Sequence, residues 1–506
     1  MGSPNLVTGL LSSLKATVRA QDSCEIHDTC GCEHGACNVH AASPVGGMSM
    51  STHLLARDIA QTFGTHHDVF RTRGRFSLAF LATALSLSAG ANTYIVDTNL
   101  DPGPDGSLSL RQAIVSANGA AGNTIAFDSS LDGSTMTLEQ GLLKISNGVD
   151  INAAGQNITI DGNNASGIFF IAGPFDGTVY MEGLTLTNGR SNIAGGALRI
   201  GEAQVNLSNV IVTGNHVSVG GPAYNAGGGG IYIGSGVLNL SDSKVTGNDA
   251  QGASGGGIRV FQGSATITRS RIDHNTTNYY GGAIALYNGS LTLEQSTIDQ
   301  NRSVHTGSSS FGGGGAISVF NVSSGYATTV TNSTIANNYA LTAGPGVQLY
   351  YADVGAPNTI RFTTIAGNYS GTAGTTGNGI RSVGGMANIF ATIVANNTDT
   401  NGIRSDLSGS FIANDSLILT PGTAILSGSG SILGADPQLG VLADNGGPTW
   451  TMIPAAASPA IDMVTQSFAE TIDQRGYNRP VGASGDAGAV ERQTVDDIIF
   501  RNGFEF

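Results

Sequence analysis

A short run of the form Ser-x-(Ile/Val)-x-x-Asn returns along this chain, and its closing residues Asn188, Asn215, Asn248, Asn275, Asn301, Asn338, Asn368 and Asn396 are separated by steps of 27, 33, 27, 26, 37, 30 and 28 residues. Periods of that size belong to solenoids, in which each unit buries its apolar surface only against its neighbours. A second column keeps step with the first: Gly-Gly-(Ala)-Ile/Leu/Val, ending at Leu198, Ile231, Ile258, Ile284, Ile317, Val347 and Ile380. Leu198 to Asn215, Ile231 to Asn248, Ile258 to Asn275 and Ile284 to Asn301 are each 17 residues, whereas the distance from Asn to the next Gly-Gly strand varies from 9 to 16. One part of each coil is therefore constant and one turn is a variable loop.

The constant part alternates apolar and polar residues over short runs broken by turns, the pattern of strands rather than helices. Counting back from Asn, position minus three is Val212, Val245, Ile272, Ile298, Ile335 and Ile365, and position minus five is Val210, Ser243, Ser270, Ser296, Ser333 and Thr363. These point inward together, which sends positions minus four and minus two to solvent. Identical residues then stack coil on coil. A buried Asn can donate to and accept from the turns above and below, so the Asn column is expected to be a structural ladder. Gly, at 74 of 506 residues, suits repeated sharp turns. An all-β right-handed parallel β-helix satisfies all of this.

The chain is 40% hydrophobic but only 11% charged and 6% aromatic, with a net charge of −14. That balance argues against nucleic acid as a partner. Residues 69–91 contain three Arg, an apolar run from Phe76 to about Leu87, and Ala89-Gly90-Ala91, the layout of a secretory signal peptide. Residues 1–68 are then read as a segment upstream of the true start, near Val69, or as disordered. Cys24, Cys30, Cys32 and Cys37 all lie in that segment. No cofactor and no metal site is expected.

Residues 92–118, with the core Leu108-Ser109-Leu110-Arg111-Gln112-Ala113, resemble the CSLREA domain of secreted bacterial β-helix proteins. Leu108 and Gln112 stand where that family has Cys and Glu. The resemblance implies an N-terminal cap, placed at 92–150, on a helix spanning 151–432. Asp436-Pro437, Leu442 to Thr449, Ser458 to Asp462, Asp473-Gln474-Arg475-Gly476, Arg479-Pro480 and Asp486 to Glu491 are similar to the choice-of-anchor Q domain, giving a region 433–491. The tail 492–506 is similar to short sorting termini of gammaproteobacterial secreted proteins. The repeats themselves resemble those of polymorphic outer membrane proteins. Together these imply a monomer, secreted or held at the outer-membrane surface of a Gram-negative bacterium, its association with that membrane made through the tail.

Two functions compete. Parallel β-helices of the pectin lyase-like class include polysaccharide lyases and glycoside hydrolases, which need acids on adjacent coils. The best such column is Asp273 and Asp299 at minus two, with Lys244 and Arg271 at minus four and Asp242 beside Arg269 at minus six; interleaved signs also describe a solvated face of ion pairs. His216 and His274 fall at turns. The variable loops carry the stronger signal: Tyr224, Tyr279, Tyr280, His305 and Phe311, with Tyr339 and Tyr369 further on, in a chain poor in rings. Loops leaving one corner of every coil line one side of the solenoid. The expectation is an adhesin or a glycan- or protein-binding stalk without catalysis, its partner a polysaccharide or a host or cell-surface protein.

Overall fold

A computed structural model describes residues 91–220, 225–306, 313–351 and 358–493. Residues 1–90, the tail from 494, Tyr224 and Phe311 lie outside the described residues, and with them the upstream segment, nearly all of the signal-like stretch and the sorting terminus.

Within the described residues, parallel pairing passes from coil to coil from Thr93–Val96 to Ile432–Leu433. One coil shows the plan: Ile258–Phe261, Ser264–Thr268, Arg271–Asp273 and Thr276–Thr277 are four short strands, each in register on its counterparts above and below. We number the resulting ladders one to four. Ladders one and two form a single 21-stranded sheet, merged where Ile380–Phe390 runs through both, while ladder three has 12 strands and ladder four seven. Ladder four was not expected. It occupies the start of the turn read as a variable loop, in strands too short to show alternation.

The alternation assigns the interior correctly. Ile258, Val260, Ile267 and Ile272 are fully buried and stack on Ile284, Leu286, Leu293 and Ile298 of the next coil. The polar inward positions are satisfied along the axis: Ser243 N donates to Ser270 Oγ at 3.1 Å, and Ser270 N to Ser296 Oγ at 3.1 Å.

The Asn ladder is continuous from Asn215 through Asn248, Asn275, Asn301, Asn338 and Asn368 to Asn397. Asn275 is typical. Its Nδ2 donates to Asn301 Oδ1 in the coil after it at 2.9 Å and to Val245 O in the coil before it at 2.9 Å, and its Oδ1 accepts from the N and Nδ2 of Asn248. Asn188 and Asn396 are corrections, because each sits one residue too early. Both hold a left-handed backbone (φ 53 and 60), the place taken by Gly214, Gly247 and Gly367 in other coils. The ladder positions in their coils are Gly189, which donates N–H to Asn215 Oδ1, and Asn397. At the far end the ladder closes on a carboxylate: Asp406 Oδ1 accepts from Asn397 N and Nδ2 at 3.0 and 2.7 Å. Burial pushes the Asp406 carboxyl up to about 6.

The N-terminal end is covered by helix α1, Leu110–Ala117, which turns Leu110, Ala113, Ile114 and Ala117 onto the first coils. Gln112 accepts from Ser109 N at 2.8 Å while Ser109 Oγ accepts from Gln112 N, a capping box that glutamine closes as well as glutamate does. The region read as a separate cap is itself partly coil, since Thr93–Val96 pairs with Asn123–Phe127, which pairs with Val149–Asn152.

After Leu433 the chain folds back along the outer face of ladder three. Ala460, Met463, Val464 and Ala487 join Phe362, Phe390, Ile393 and Leu417 in a second core, built outside the coil. Gln474 is the polar pin: its Nε2 reaches Ser296 O and Thr297 Oγ1, and its Oε1 accepts from Thr334 Oγ1 at 2.6 Å.

Candidate binding face

On ladder one, residues flanking the inward aliphatic pair face outward, and register stacks them into two columns. The first runs Lys144, Phe170, Arg199, Tyr232, Arg259, Ala285, Ser318, Gln348, Arg381. Over its first five coils it alternates cation and ring. The second begins where that alternation ends, with Phe261, Tyr287, Phe320 and Tyr350.

These four rings are nearly parallel, with centroids 5.3, 5.6 and 4.7 Å apart and planes 12°, 18° and 6° from each other. Mutual stacking uses up the faces of the inner rings, so what they turn outward is their edges, the positive end of the ring quadrupole. Arg199 lies 5.1 Å from the centroid of Phe170 and covers that ring too. The strip is thus electropositive in two ways, by full charges and by ring edges, on a protein whose net charge is negative.

Two hollows open on it. A cavity of about 220 Å³ is lined by Ser254, Arg259, Tyr280, Tyr287, Ser318 and Phe320. Arg259 is 4% exposed there, and burial pushes its guanidinium down to about 10. A wider cleft of about 530 Å³ is bordered by Phe170, Arg190, Arg199 and the exposed Leu142 and Ile193. Among the described residues no carboxylate comes within ion-pair distance of Lys144, Arg190 or Arg199.

Of the ring residues expected to bind, Tyr279, Tyr280 and His305 come together in one cluster: Tyr279 and Tyr280 are 5.3 Å apart edge to face, and His305 lies 5.1 and 4.8 Å from them. Tyr280 borders the smaller cavity. His305 is 9% exposed, and burial lowers its pKa so that it stays neutral near pH 7. Tyr339 and Tyr369 are elsewhere, 5.6 Å apart and tilted by 33° on ladder four, with Arg302 over the Tyr339 ring.

The acidic column is not a solvated face. Asp273 and Asp299 are 1% and 0% exposed, covered by the returning C-terminal segment. Arg271 donates to both oxygens of Asp299 at 2.9 and 2.8 Å, approaches Asp273 Oδ2 at 3.0 Å, and is capped by the Trp450 ring 3.7 Å away. Burial raises the Asp299 carboxyl despite Arg271. His274, by contrast, is exposed, and His216 Nδ1 lies 3.0 Å from Asp249 Oδ2 on ladder four. Among the described residues no group of three or more His, Cys, Asp or Glu gathers as metal ligands would.

The residues that sequence reasoning missed are Arg199, Tyr232, Arg259, Tyr287, Phe320 and Tyr350. A signal existed: Arg259 is one residue after Ile258, and Phe261, Tyr287, Phe320 and Tyr350 each lie three residues after a Gly-Gly column residue. Attention to the loops concealed a column within the strands.

Residues 147–319 match the family model described as right handed beta helix region. No curated protein matches the chain. Among solved structures, that of pectate lyase Pel9A aligns over 79% of this chain and 96% of its own, with 13% identity and a TM-score of 0.43, a likeness too distant to carry any argument about activity. The fold is a right-handed parallel β-helix.

Proposed function

We propose that this chain is a secreted or cell-surface β-helix protein that acts as an adhesin or glycan-binding stalk without catalysis, holding a polysaccharide along the outer face of ladder one. The observation that carries the reading is the cation and ring strip from Lys144 to Tyr350, with two hollows along it, where among the described residues Lys144 and Arg199 have no carboxylate within ion-pair distance. Secretion and surface anchoring rest on the signal-like residues 69–91, the CSLREA-like start, the choice-of-anchor Q-like region and the tail.

A lyase is the second reading, and one observation favours it. Arg259, in a cavity with Tyr280 and Tyr287, is brought down to about 10 by burial, and a proton acceptor in a lyase requires a lowered pKa. One experiment separates the two. The purified chain is incubated with a panel of polysaccharides, and both retention and new reducing or unsaturated ends are read. Retention without new ends is expected; new ends that vanish with Arg259→Lys make it an enzyme.

A further inference from the structure

Ladder four begins at Arg190–Ser191, and the coil before it has no strand at that place. That coil crosses from Ile158–Asp161 to Phe169–Ile171 in seven residues, 162–168, whereas the next takes ten, 188–197, to cross from Leu184–Thr187 to Leu198–Ile200. The corner between ladders four and one is therefore one strand short. The hollow left there is the wider cleft of about 530 Å³, within the range of about 300–1,000 Å³ usual for small-ligand sites.

Two cations from different ladders line it. Arg190 is exposed at the first edge of ladder four, and Arg199 is half-buried on ladder one, its guanidinium 5.1 Å from the centroid of Phe170. Among the described residues neither guanidinium has a carboxylate within ion-pair distance or a hydrogen-bond acceptor. Phe170 is thus the support that holds Arg199 in place and not itself a surface for a ligand. Leu142 and Ile193, 44% and 53% exposed, add aliphatic walls, and Asn192 and Ser218 bring an amide and a hydroxyl.

Each of these features selects. Guanidinium forks match a carboxylate and hold it by charge-assisted hydrogen bonds. The amide and the hydroxyl suit the hydroxyls of a sugar, and the aliphatic walls suit its C–H face. An inorganic anion would leave those walls in water, and an acyl chain would cover the guanidinium groups without pairing them. The cleft also has no continuation along the axis. Tyr232 and Arg259, the next members of the Arg199 column, are 8% and 4% exposed, and Arg259 is already engaged, so a long polyanion finds no open cation on the coils that follow.

We propose that the wider cleft holds a carboxylate-bearing sugar at the end of a glycan chain, its carboxylate between Arg190 and Arg199 and the remainder of the chain leading out to solvent. This rests on the glycan-binding reading above and narrows it to a chain end. The test is titration calorimetry of the full chain, at low and at high salt, with four probes. Sialyllactose and digalacturonate are short and end in an acidic sugar, lactose is short and neutral, and polygalacturonate is long. A short acidic saccharide is expected to bind at least about tenfold more tightly than lactose and to weaken as salt rises. Arg190→Ser and Arg199→Ser should each weaken it about tenfold or more, since each removes bonds to a charged group. Arg199→Lys, which keeps the charge without the fork, should recover only part of the loss, and Arg269→Ser on another face should change nothing. Both serine variants should melt close to the parent, because neither guanidinium gives up a hydrogen bond.

Polygalacturonate binding more tightly per chain end than digalacturonate would overturn the chain-end assignment. Lactose binding as tightly as the acids, without salt dependence, would overturn the acid and leave glycan binding standing. Unchanged affinity in both serine variants would remove the site from this cleft. If neither short acid binds, the proposal falls, and retention of some other polysaccharide in the panel above would then show the broader reading to survive it.

Discussion

Two outer faces of the same coil use arginine in opposite ways. On ladder three, Arg271 is held between Asp273 and Asp299 and roofed by Trp450. On ladder one, Arg199 has Phe170 beneath it and, among the described residues, no carboxylate within reach. A face whose charges are already paired is glue, and here it fastens residues 433–491 to the coil. On the other face, Lys144 and Arg199 have no carboxylate within ion-pair distance among the described residues. The acids mark the difference in the sequence: Asp273 and Asp299 stand beside Arg271 on ladder three, and the column of Arg199 holds none.

The sharpest way to break the comparison is to remove one arginine from each face. Arg271→Ala leaves Asp299 buried without its cation and Asp273 with the Lys244 ammonium 3.5 Å away, and breaking a buried pair costs about 3–5 kcal/mol. Arg199→Ala should cost less than about 1 kcal/mol, since this half-buried cation gives up no ion pair among the described residues. Urea denaturation of the two variants measures the difference; equal losses would mean that the faces are not distinct.

Acidity sharpens it next. Glu491, inside the returning segment, is pushed up to about 7 and Asp406 to about 6, in both cases chiefly by burial. An acid whose pKa is higher in the fold than in the unfolded chain stabilises the fold below its unfolded value, and that contribution is lost as pH rises through the folded value. Stability should therefore increase as pH falls from about 8 to 5, with a slope of at most about 1.4 kcal/mol per pH unit from each group. Glu491→Gln should flatten the upper part of that profile, followed by melting temperature against pH. A parent profile that falls steadily over the same range refutes the assignment.

Behind both faces stands the Asn ladder, so a break there must weaken both. Asn275→Ala takes the acceptor from Asn248 N and the side-chain donor from Val245 O, while Asn248 Nδ2 keeps Val212 O and Thr246 O, a loss of about 1–3 kcal/mol. Calorimetric melting gives the answer. An unchanged melting point would reduce the ladder to coincident geometry.

How much of this could be read in the residues differs by element. The coil, its period and its inward positions were legible because alternation and stacking leave a period in the sequence. Asn215 to Asn368 were legible for the same reason, and the two misplaced members carried a warning: the inward aliphatic lies three residues before Asn215 but only two before Asn188, at Leu186. The fold-back was harder, since a contact between residues 153 apart, such as Thr297 with Trp450, has no period. It did leave a trace. Outward positions that are Thr213 and Thr246 early in the coil become Ala336 and Ala366 later, and Ile211 and Lys244 give way to Thr334 and Thr364. Small uncharged residues pointing outward on a charged solenoid signal a cover, as the full burial of Ala336, Thr334 and Ala366 bears out. Ladder one was hidden differently: its columns are periodic, but the rings were sought in the loops.

The smallest effect belongs at the rim between the covered and open surfaces. Arg269 donates to both oxygens of Asp242 at 2.7 and 2.6 Å, better geometry than many buried pairs achieve. Yet its side chains are 42% and 35% exposed, so water screens the attraction and competes for the same bonds. Hydrogen bonding to Asp242 raises the Arg269 pKa further above an already high value, which changes nothing near neutrality. The Asp242→Ser, Arg269→Ser double variant should therefore lose no more than about 1 kcal/mol, and less as salt is added. Arg271, two residues on and in the same strand region, should lose several times more with little dependence on salt. If the rim pair proved as costly as the covered one, it would be the geometry of the ion pairs, and not the C-terminal cover, that sets the two faces apart.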